Sequence, residues 1–529
     1  MYIRVSRQYK RGVSINIFVC VFLNIFTLSI TSASKYSHAC KLLNAHIIAF
    51  IKILFTASYV SIQMYRNTIA ATFNVTNVSS SASFIIFQIH TYQYNVTLSF
   101  DKDHLYKVSN RSVFGTNIGL YSRQIRDLTT QLFVKNDNVH VIEGLLVAIA
   151  YNDKAPIPGG CNMEFNTEVA PYANLVAQPA MVIVDVQPAS MPLNNTLSPV
   201  CEKNPVEHEI YQMFLSEQDF NMDSYFAAID RMLTVQSILE NGVKVARPTV
   251  SSPMRRVFNT YTGVGSVYAA VATYGVHSAA YVPAFSYACS PVVDPESCEI
   301  LSTFYSSSKF VCSLCFFLGL LSVYLGHTCI QVDMALPVFF TGTVIGYTMG
   351  VYNNILSTIS LILIRDIGIG ILIGVCTTAV WALVMYTMIC CGSLVFSLTL
   401  GFFFACVAYF CAPDSFVILQ SDWIFWLTFI ALTLAISVLS ACLVIVAYVA
   451  TCAIFASYMV ILPLDYYFGS CLKYIIINFV RRATVEGFNL AAVRPPFQYT
   501  DVILLVLWMC LAIYRFQKQW CAILSYIPI

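Results

Sequence analysis

Apolar and polar positions follow two regimes along this chain. From about residue 72 to residue 301, β-branched and aromatic residues alternate with polar ones in short runs broken by turn residues, the period-two signature of strands. Phe84 to Phe100 is the clearest run, with Ile85, Phe87, Ile89 and Thr91 on one face. Val139 to Tyr151, Met181 to Val186 and Ser266 to Pro283 repeat the pattern. One helical stretch interrupts them at Met222 to Leu239, where Tyr225, Ile229, Met232 and Leu233 share a side. The expected product is a β-rich, sandwich-like ectodomain over 72–305, built as one module or as two divided near 193–209.

Beyond residue 308 the alternation gives way to long apolar runs. Hydrocarbon about 30 Å thick takes roughly 20 residues of helix to cross. Seven runs fit: Lys309 to Gly326, Met334 to Tyr352, Asp366 to Tyr386, Ile389 to Cys411, Trp423 to Leu443, Val446 to Tyr466 and Asp501 to Tyr514. They predict a seven-helix transmembrane domain over 306–516 and a short cytosolic tail over 517–529. Most connections are very short, so sequential helices are expected to pack as antiparallel neighbours. Arg365 and Asp366, at the start of the third run, are expected at an interface. No charge falls at the centre of any run, so the pattern predicts no proton relay, ion site or voltage sensor. Gly342, Gly346 and Gly350 in the second run, with Gly370 and Gly374 in the third, supply G-x-x-x-G steps for close helix contact. That contact is expected within the chain, with a homo-oligomer as the alternative.

The longest insertion, Tyr467 to Thr500, strains the topology. Seven crossings from a lumenal or extracellular N-terminus put the C-terminus in the cytosol, which suits Arg515 and Lys518. The insertion then counts as lumenal, although it carries Lys473, Arg481, Arg482 and Arg494, and the positive-inside rule prefers such a loop in the cytosol. Either one span is re-entrant, or translocation of the ectodomain fixed the topology regardless of loop charge; the second is preferred. Leu472, Ile475, Ile476 and Phe479 line one helical face here, as in an interfacial helix with arginines at headgroup level or an ordinary connecting helix.

The N-terminus adds a secretory address. Arg4, Arg7, Lys10 and Arg11 precede the apolar run Val13 to Ile30, and Ser32-Ala33-Ser34 offers small residues for cleavage, so 1–34 is expected to be a signal peptide. An uncleaved anchor, or a signal at the second apolar stretch Ala45 to Ile62, are the alternatives, and 35–71 stays unassigned. Asn-x-Ser/Thr sequons begin at Asn74, Asn77, Asn95, Asn110 and Asn194, all before residue 200, and predict an N-glycosylated ectodomain. Composition agrees: 58% hydrophobic, 11% charged and a mean hydropathy of +0.69 mark a chain largely dissolved in lipid. A net charge of +2 gives no reason to expect a nucleic-acid partner.

Of 19 cysteines, only Cys161, Cys201, Cys289 and Cys298 fall in the ectodomain proper, an even number that predicts two disulfides in an oxidising compartment. Four cysteines allow three pairings; Cys289 with Cys298 is the preferred one, because Pro291 and Pro295 can turn the short loop between them, and it leaves Cys161 with Cys201. Most others lie in or beside the spans, where Cys is a small apolar filler, and Cys312-x-x-Cys315 has no thioredoxin pattern around it. The histidines are scattered singly, and no nucleophile elbow, P-loop or dinucleotide fingerprint occurs. No catalytic, metal or cofactor site is expected, and the chain reads as non-enzymatic.

Four stretches carry a resemblance to a known family: Phe84 to Phe100, Pro156-Ile-Pro-Gly-Gly-Cys-Asn-Met-Glu-Phe165, Ser278-Ala-Ala-Tyr-Val-Pro-Ala-Phe-Ser-Tyr-Ala-Cys289 and Pro496-Phe-Gln-Tyr-Thr-Asp501. With them the chain resembles the transmembrane 7 superfamily member 3 family over roughly Phe73 to Tyr514, and its membrane half is similar to the transmembrane protein 198 group. The resemblance implies an N-glycosylated seven-span protein of the cell membrane or secretory pathway, associated with cell survival and with damping endoplasmic reticulum stress and the unfolded protein response. The chain departs from the family in its first seventy residues, where the expected early strands are not evident, and in its short tail. The implied partners are the bilayer and a lumenal or extracellular ligand or protein. A seven-span receptor is the first rival, although no Asp-Arg-Tyr follows the third run and no Asn-Pro-x-x-Tyr lies in the seventh. A channel or transporter is the second, and it would need a polar path.

Overall fold

The computed structural model describes residues 48–526 apart from 53–56, 65–70, 77–81, 107–108, 124–129, 193–200, 202–204, 247–253, 299–304, 329, 353–361 and 413–415. The first strands are β1 (Ile48–Lys52), β2 (Ala57–Met64), β3 (Ala71–Thr76), β4 (Ala82–Thr91), β5 (Val96–Ser99), β6 (Ser112–Gly115), β7 (Asn117–Arg123), β8 (Thr130–Lys135) and β9 (Ile142–Asn152). They form two sheets, β1-β3-β8-β5-β6 and β2-β9-β4-β7, around one apolar core that includes Ile85, Phe87, Ile89, Leu98, Leu132 and Leu146. The apolar stretch Ala45 to Ile62 is therefore neither a span nor a signal: β2 pairs with β9 from Ala57 opposite Ile149 to Met64 opposite Ile142. The ectodomain begins before residue 72, and the early strands thought missing are present. The alternation is present in β2, where Val60, Ile62 and Met64 interleave with Ser61 and Gln63, but it follows directly on the apolar run from Ala45 and reads as part of it.

The second module contains β10 (Ala173–Ala177), β11 (Met181–Val186), β12 (Glu207–Glu217), β13 (Val243–Lys244), β14 (Arg255–Asn259), β15 (Val264–Tyr274), β16 (His277–Ala280), β17 (Ala284–Ser286) and β18 (Ala491–Ala492). Its sheets are β10-β11-β14-β18 and β13-β12-β15-β16, with β17 also on β15. Strands through β9 pair among themselves and so do those from β10 onward, so the division falls after Asn152 rather than at 193–209. In sequence, 193–209 falls between β11 and β12 and includes the first residues of β12, so it lies inside the second module.

The two modules share an apolar seam. Strand β4 is buried on both faces: Ile85, Phe87 and Ile89 enter the first core, while Phe84 and Ile86 meet Ala155, Ile157, Ala279 and Val282 of the second module. This two-sided burial explains the unbroken run Phe84-Ile-Ile-Phe87, and each such side chain contributes about 1.5–3 kcal/mol. The predicted helical stretch forms two short helices, α1 (Met222–Asp230) and α2 (Val235–Asn241). Asn221 caps the first by accepting from Asp223 N at 3.1 Å, and Thr234 with Ser237 forms a capping box on the second. Tyr225, Ile229, Met232 and Leu233 are all buried.

Cys161 pairs with Cys201 and Cys289 with Cys298. The Pro-Gly-Gly turn before Cys161 needs its glycine: Gly159 has φ +68°, and a Cβ there would lie 1.8 Å from Ala170 O. Asn95 and Asn110 are exposed and Asn74 falls in β3; Asn77 and Asn194 lie outside the described residues.

Seven helices follow: α3 (Tyr305–Leu325), α4 (Ile330–Tyr352), α5 (Ile362–Thr387), α6 (Ile389–Cys411), α7 (Asp422–Cys442), α8 (Val444–Phe468) and, after the insertion, α10 (Tyr499–Tyr526). Among the described residues, six are long and apolar enough to cross a bilayer, and α3 contributes the shorter apolar stretch Cys312–Leu325. The last helix outruns its apolar pattern, because residues 517–526, expected as a tail, continue it. Neighbours in sequence pack in the pairs α4 with α5 and α6 with α7, but α3 and α10 both pack on α8.

Close approach of α4 to α5 rests on the predicted glycines. A Cβ on Gly346 would lie 2.6 Å from Ile373 Cβ, one on Gly370 3.0 Å from Thr343 O, and one on Gly374 3.0 Å from Phe339 O. Gly342 would meet Thr377 Oγ1 at 2.1 Å, and Gly350 is buried on the same helix. Gly346→Leu or Gly370→Leu should therefore cost about 1–3 kcal/mol through forced separation of the pair. Gly368→Ala, with nothing within 4 Å of the added carbon, should be neutral or slightly stabilising. Thermal unfolding of the detergent-purified protein would separate the two outcomes.

Candidate functional site between ectodomain and membrane domain

The insertion after α8 is the part of the membrane domain that meets the ectodomain. Helix α8 stops at Gly469, whose φ of +68° admits a left-handed cap and whose N–H donates to Asp465 O at 2.9 Å. A Cβ there would lie 3.0 Å from Glu217 Cδ, so the glycine also makes room for the end of β12. The chain then forms α9 (Tyr474–Thr484). Leu472, Ile475, Ile476 and Phe479 share a face as their spacing predicts, but protein covers that face. They join one buried cluster with Phe402 and Phe403 of α6, Phe425 and Phe429 of α7, and Tyr261 and Val264 of the second module. Tyr261 and Tyr474 meet edge to face at 4.7 Å. The plainer expectation, a connecting helix, is the correct one.

Polar contacts fix the same face. Arg481 Nη1 donates to Asn259 Oδ1 at 2.7 Å and to Thr260 O at 2.6 Å. Asn259 Nδ2 donates to Asn478 Oδ1 at 2.9 Å, and Thr262 N to Tyr474 OH at 2.9 Å. Arg482 pairs with Asp422 at 2.6 Å and stands over the Phe425 ring at 4.5 Å. Arg494 donates to the Val243 and Lys244 carbonyls at 3.3 and 3.1 Å. Further along, β18 joins β14 in parallel, with Val257 opposite Ala491 and Phe258 opposite Ala492. The membrane domain thus supplies an edge strand to the second module. The insertion lies on the ectodomain's side, and no span has to be re-entrant.

At the centre stands a knot of three carboxylates and one ammonium. Lys473 Nζ lies 3.0 Å from Asp465 Oδ1 and 3.2 Å from Glu217 Oε1, and it also donates to Ser470 O. Asp465 accepts from Ser470 N at 2.9 Å and from Lys473 N. Asp501 accepts from Cys471 N and Gln498 N, both at 2.6 Å. Gln498 ties in β12, accepting from Glu217 N at 3.1 Å and donating to Leu215 O at 2.9 Å. Burial works against the Lys473 charge, yet Asp465 and Glu217 outweigh it and hold its pKa above the ordinary lysine value. Burial pushes the Glu217 carboxyl up to about 7, opposed by Lys473 and reinforced by Asp465 and Asp501.

Charge is also present inside the bundle, contrary to the sequence expectation. Arg515 is fully buried and its Nη2 lies 2.6 Å from Oδ2 of buried Asp333, which also accepts from Ser322 Oγ. Three helices, α3, α4 and α10, are joined by this contact. Each residue looked terminal in its apolar run, so their pairing was not legible. Among the described residues, no group of three or more His, Cys, Asp or Glu is placed to hold a metal. The buried His90 is held by Asn117 Oδ1 at 2.8 Å and Gln88 Oε1 at 3.0 Å, and His208 Nε2 accepts from Ala189 N at 2.9 Å.

Arg515→Met should destabilise the bundle by about 3–5 kcal/mol, because it strands the Asp333 charge. The double variant Asp333→Leu with Arg515→Met should recover most of that loss in thermal unfolding. Arg481→Ala should cost about 1–3 kcal/mol locally, seen as faster amide exchange at Asn259 to Thr262.

Comparison with known proteins gives the same division. Residues 54–151 match a model described as the TM7SF3-like N-terminal immunoglobulin-like domain, and residues 156–292 match the TM7SF3-like second immunoglobulin-like domain. Residues 312–520 match the TM7S3/TM198-like domain. Transmembrane 7 superfamily member 3 of Homo sapiens is 29% identical over 460 residues, covering 83% of this chain and 77% of the relative. The proteins of that name from Rattus norvegicus and Mus musculus are each 27% identical over 457 residues, covering 83% of this chain and 78% of theirs. No solved structure matches the chain. With both immunoglobulin-like modules and the membrane domain matched in order, the chain belongs to the TM7SF3-like family of multi-pass membrane proteins.

Proposed function

We propose that this chain is a non-enzymatic membrane sensor of the cell surface or secretory pathway. Its ectodomain faces the lumen or exterior and engages a ligand or protein there, its C-terminus is cytosolic, and its helix bundle carries the state of the ectodomain across the bilayer. In the cell this activity damps endoplasmic reticulum stress and the unfolded protein response, in keeping with the family resemblance. The observation that carries the reading is mechanical continuity. The second module shares a sheet edge with the membrane domain through β18 and a buried cluster with six of its helices, α4 and α6 to α10. A domain on a flexible tether could bind but not transmit; here a displacement of β14 or β12 moves α9 and the ends of α8 and α10 with it.

A channel or transporter draws on one observation, the buried Asp333 and Arg515 pair. Their mutual neutralisation favours a structural tie over a conducting path, and flux measurements on proteoliposomes would decide.

Deleting the protein from cells should raise an unfolded-protein-response reporter under secretory stress. Restoring the wild type should bring it down, and a junction variant such as Arg481→Ala, at equal membrane level, should restore it less well. An unchanged reporter on deletion contradicts the reading.

A further inference from the structure

The knot at the end of β12 is unequal in a way that points to regulation. Asp465 receives two backbone N–H groups besides Lys473, and Asp501 receives two of its own. Glu217, the one carboxylate contributed by the ectodomain, is offered a single donor among the described residues, Lys473 Nζ. Every element packed against it adds to its surroundings: Asp465 from the end of α8, Gly469 and Cys471 from the turn, Lys473 and Tyr474 at the start of α9, and Asp501 from α10. With all three acids ionised, one ammonium faces three carboxylates in a place nearly closed to water. Only Glu217 can leave that place without unfolding the membrane domain, because it rides on the second module.

We propose that Glu217 is a proton-operated clamp: taking up one proton tightens the docking of the second immunoglobulin-like module on the membrane domain, and losing it loosens that docking. Proton uptake converts the Glu217 carboxylate to a carboxylic acid, which removes one of the competing negative charges and leaves Lys473 to Asp465 and the Ser470 carbonyl. Lys473 remains charged throughout.

The direction follows from linkage. Docked, the Glu217 carboxyl titrates near 7; released into water it returns to the ordinary 4.5. Between those values the docked form holds a proton that the released form lacks. Docking therefore strengthens as pH falls through 7, by up to about tenfold per pH unit, and the gain is complete near the ordinary carboxylate value. Above 7 both forms are ionised, and the docked form bears the full cost of a buried carboxylate. The clamp extends the sensor reading by naming a proton as a second input. It needs only the docked geometry, so it is testable without the cellular role.

The test is amide hydrogen exchange on the full-length protein in nanodiscs between about pH 5.5 and 8, corrected for intrinsic exchange chemistry. The reporting amides are those of residues 257–262 and 491–492. In the wild type their protection should begin to rise as pH falls through about 7 and go on rising, by up to about tenfold per pH unit, to the acid end of the range. Glu217→Gln, neutral at every pH, should show the acid-like protection throughout and no such rise. A flat wild-type profile, a profile of opposite sign, or a pH dependence shared equally by wild type and Glu217→Gln overturns the clamp. Should Glu217→Gln fail to accumulate, the wild-type profile still decides, because equal carboxyl pKa values in the docked and released forms would leave protection independent of pH and mean that Glu217 is solvated like an ordinary carboxylate. None of these outcomes bears on the stress-response reporter, so the clamp and the cellular reading fail separately.

Discussion

Four basic side chains, Lys473, Arg481, Arg482 and Arg494, sit in a segment that must lie on the same side of the bilayer as the ectodomain, and each is satisfied there by a fixed acceptor. Acidic side chains take Lys473 and Arg482, an amide and a carbonyl of β14 and its loop take Arg481, and carbonyls of β13 take Arg494. The positive-inside rule concerns charges that face lipid headgroups and water. Charges already paired within the protein are outside its reach. The seven-span topology, the position of α9 and the shared sheet edge all depend on this pairing.

The same logic extends through the bundle. Burying Arg515 is tolerable only because Asp333 meets it, Asp333 in turn accepts from Ser322, and these contacts tie the far half of α10 to α4 and α3. At the near end Asp501, on α10, holds the turn that follows α8. Helix α10 is thus anchored by polar contacts toward both ends, while aromatic packing of Trp508 against Phe403 and Tyr458 fills the space between. A protein with little net charge spends its few ionisable groups at the joints.

Much of this architecture was legible in the sequence. Strand alternation, the face formed by Tyr225, Ile229, Met232 and Leu233, the disulfide pairing and the seven apolar runs each report a local periodicity or spacing, and each is present in the fold. The family resemblance covered the right segments. Three features were not readable, for physical reasons. Strands β1 and β2 lie in a stretch apolar enough to imitate a leader, so the alternation of Val60, Ile62 and Met64 with Ser61 and Gln63 was passed over. The module boundary was placed at a polar, Pro-containing segment, because such a composition does not distinguish a connection between modules from one within a module. The junction itself unites Glu217, Asn259, Lys473, Arg481 and Asp501, which lie far apart in the chain. The one available sign was the excess of basic residues in the insertion, a departure from rule that proved to mark where charges are satisfied by a distant partner.

Parallel pairing of β14 with β18 tests this arrangement most directly, because it puts a residue of the ectodomain beside one that follows six membrane crossings. Val257→Cys combined with Ala491→Cys, oxidised in intact membranes and read by mass spectrometry of the linked peptides, should give a disulfide between positions 257 and 491 in high yield. Two labelled but uncrosslinked cysteines, or a cysteine at 491 reached only by reagents added on the side opposite the ectodomain, would contradict it.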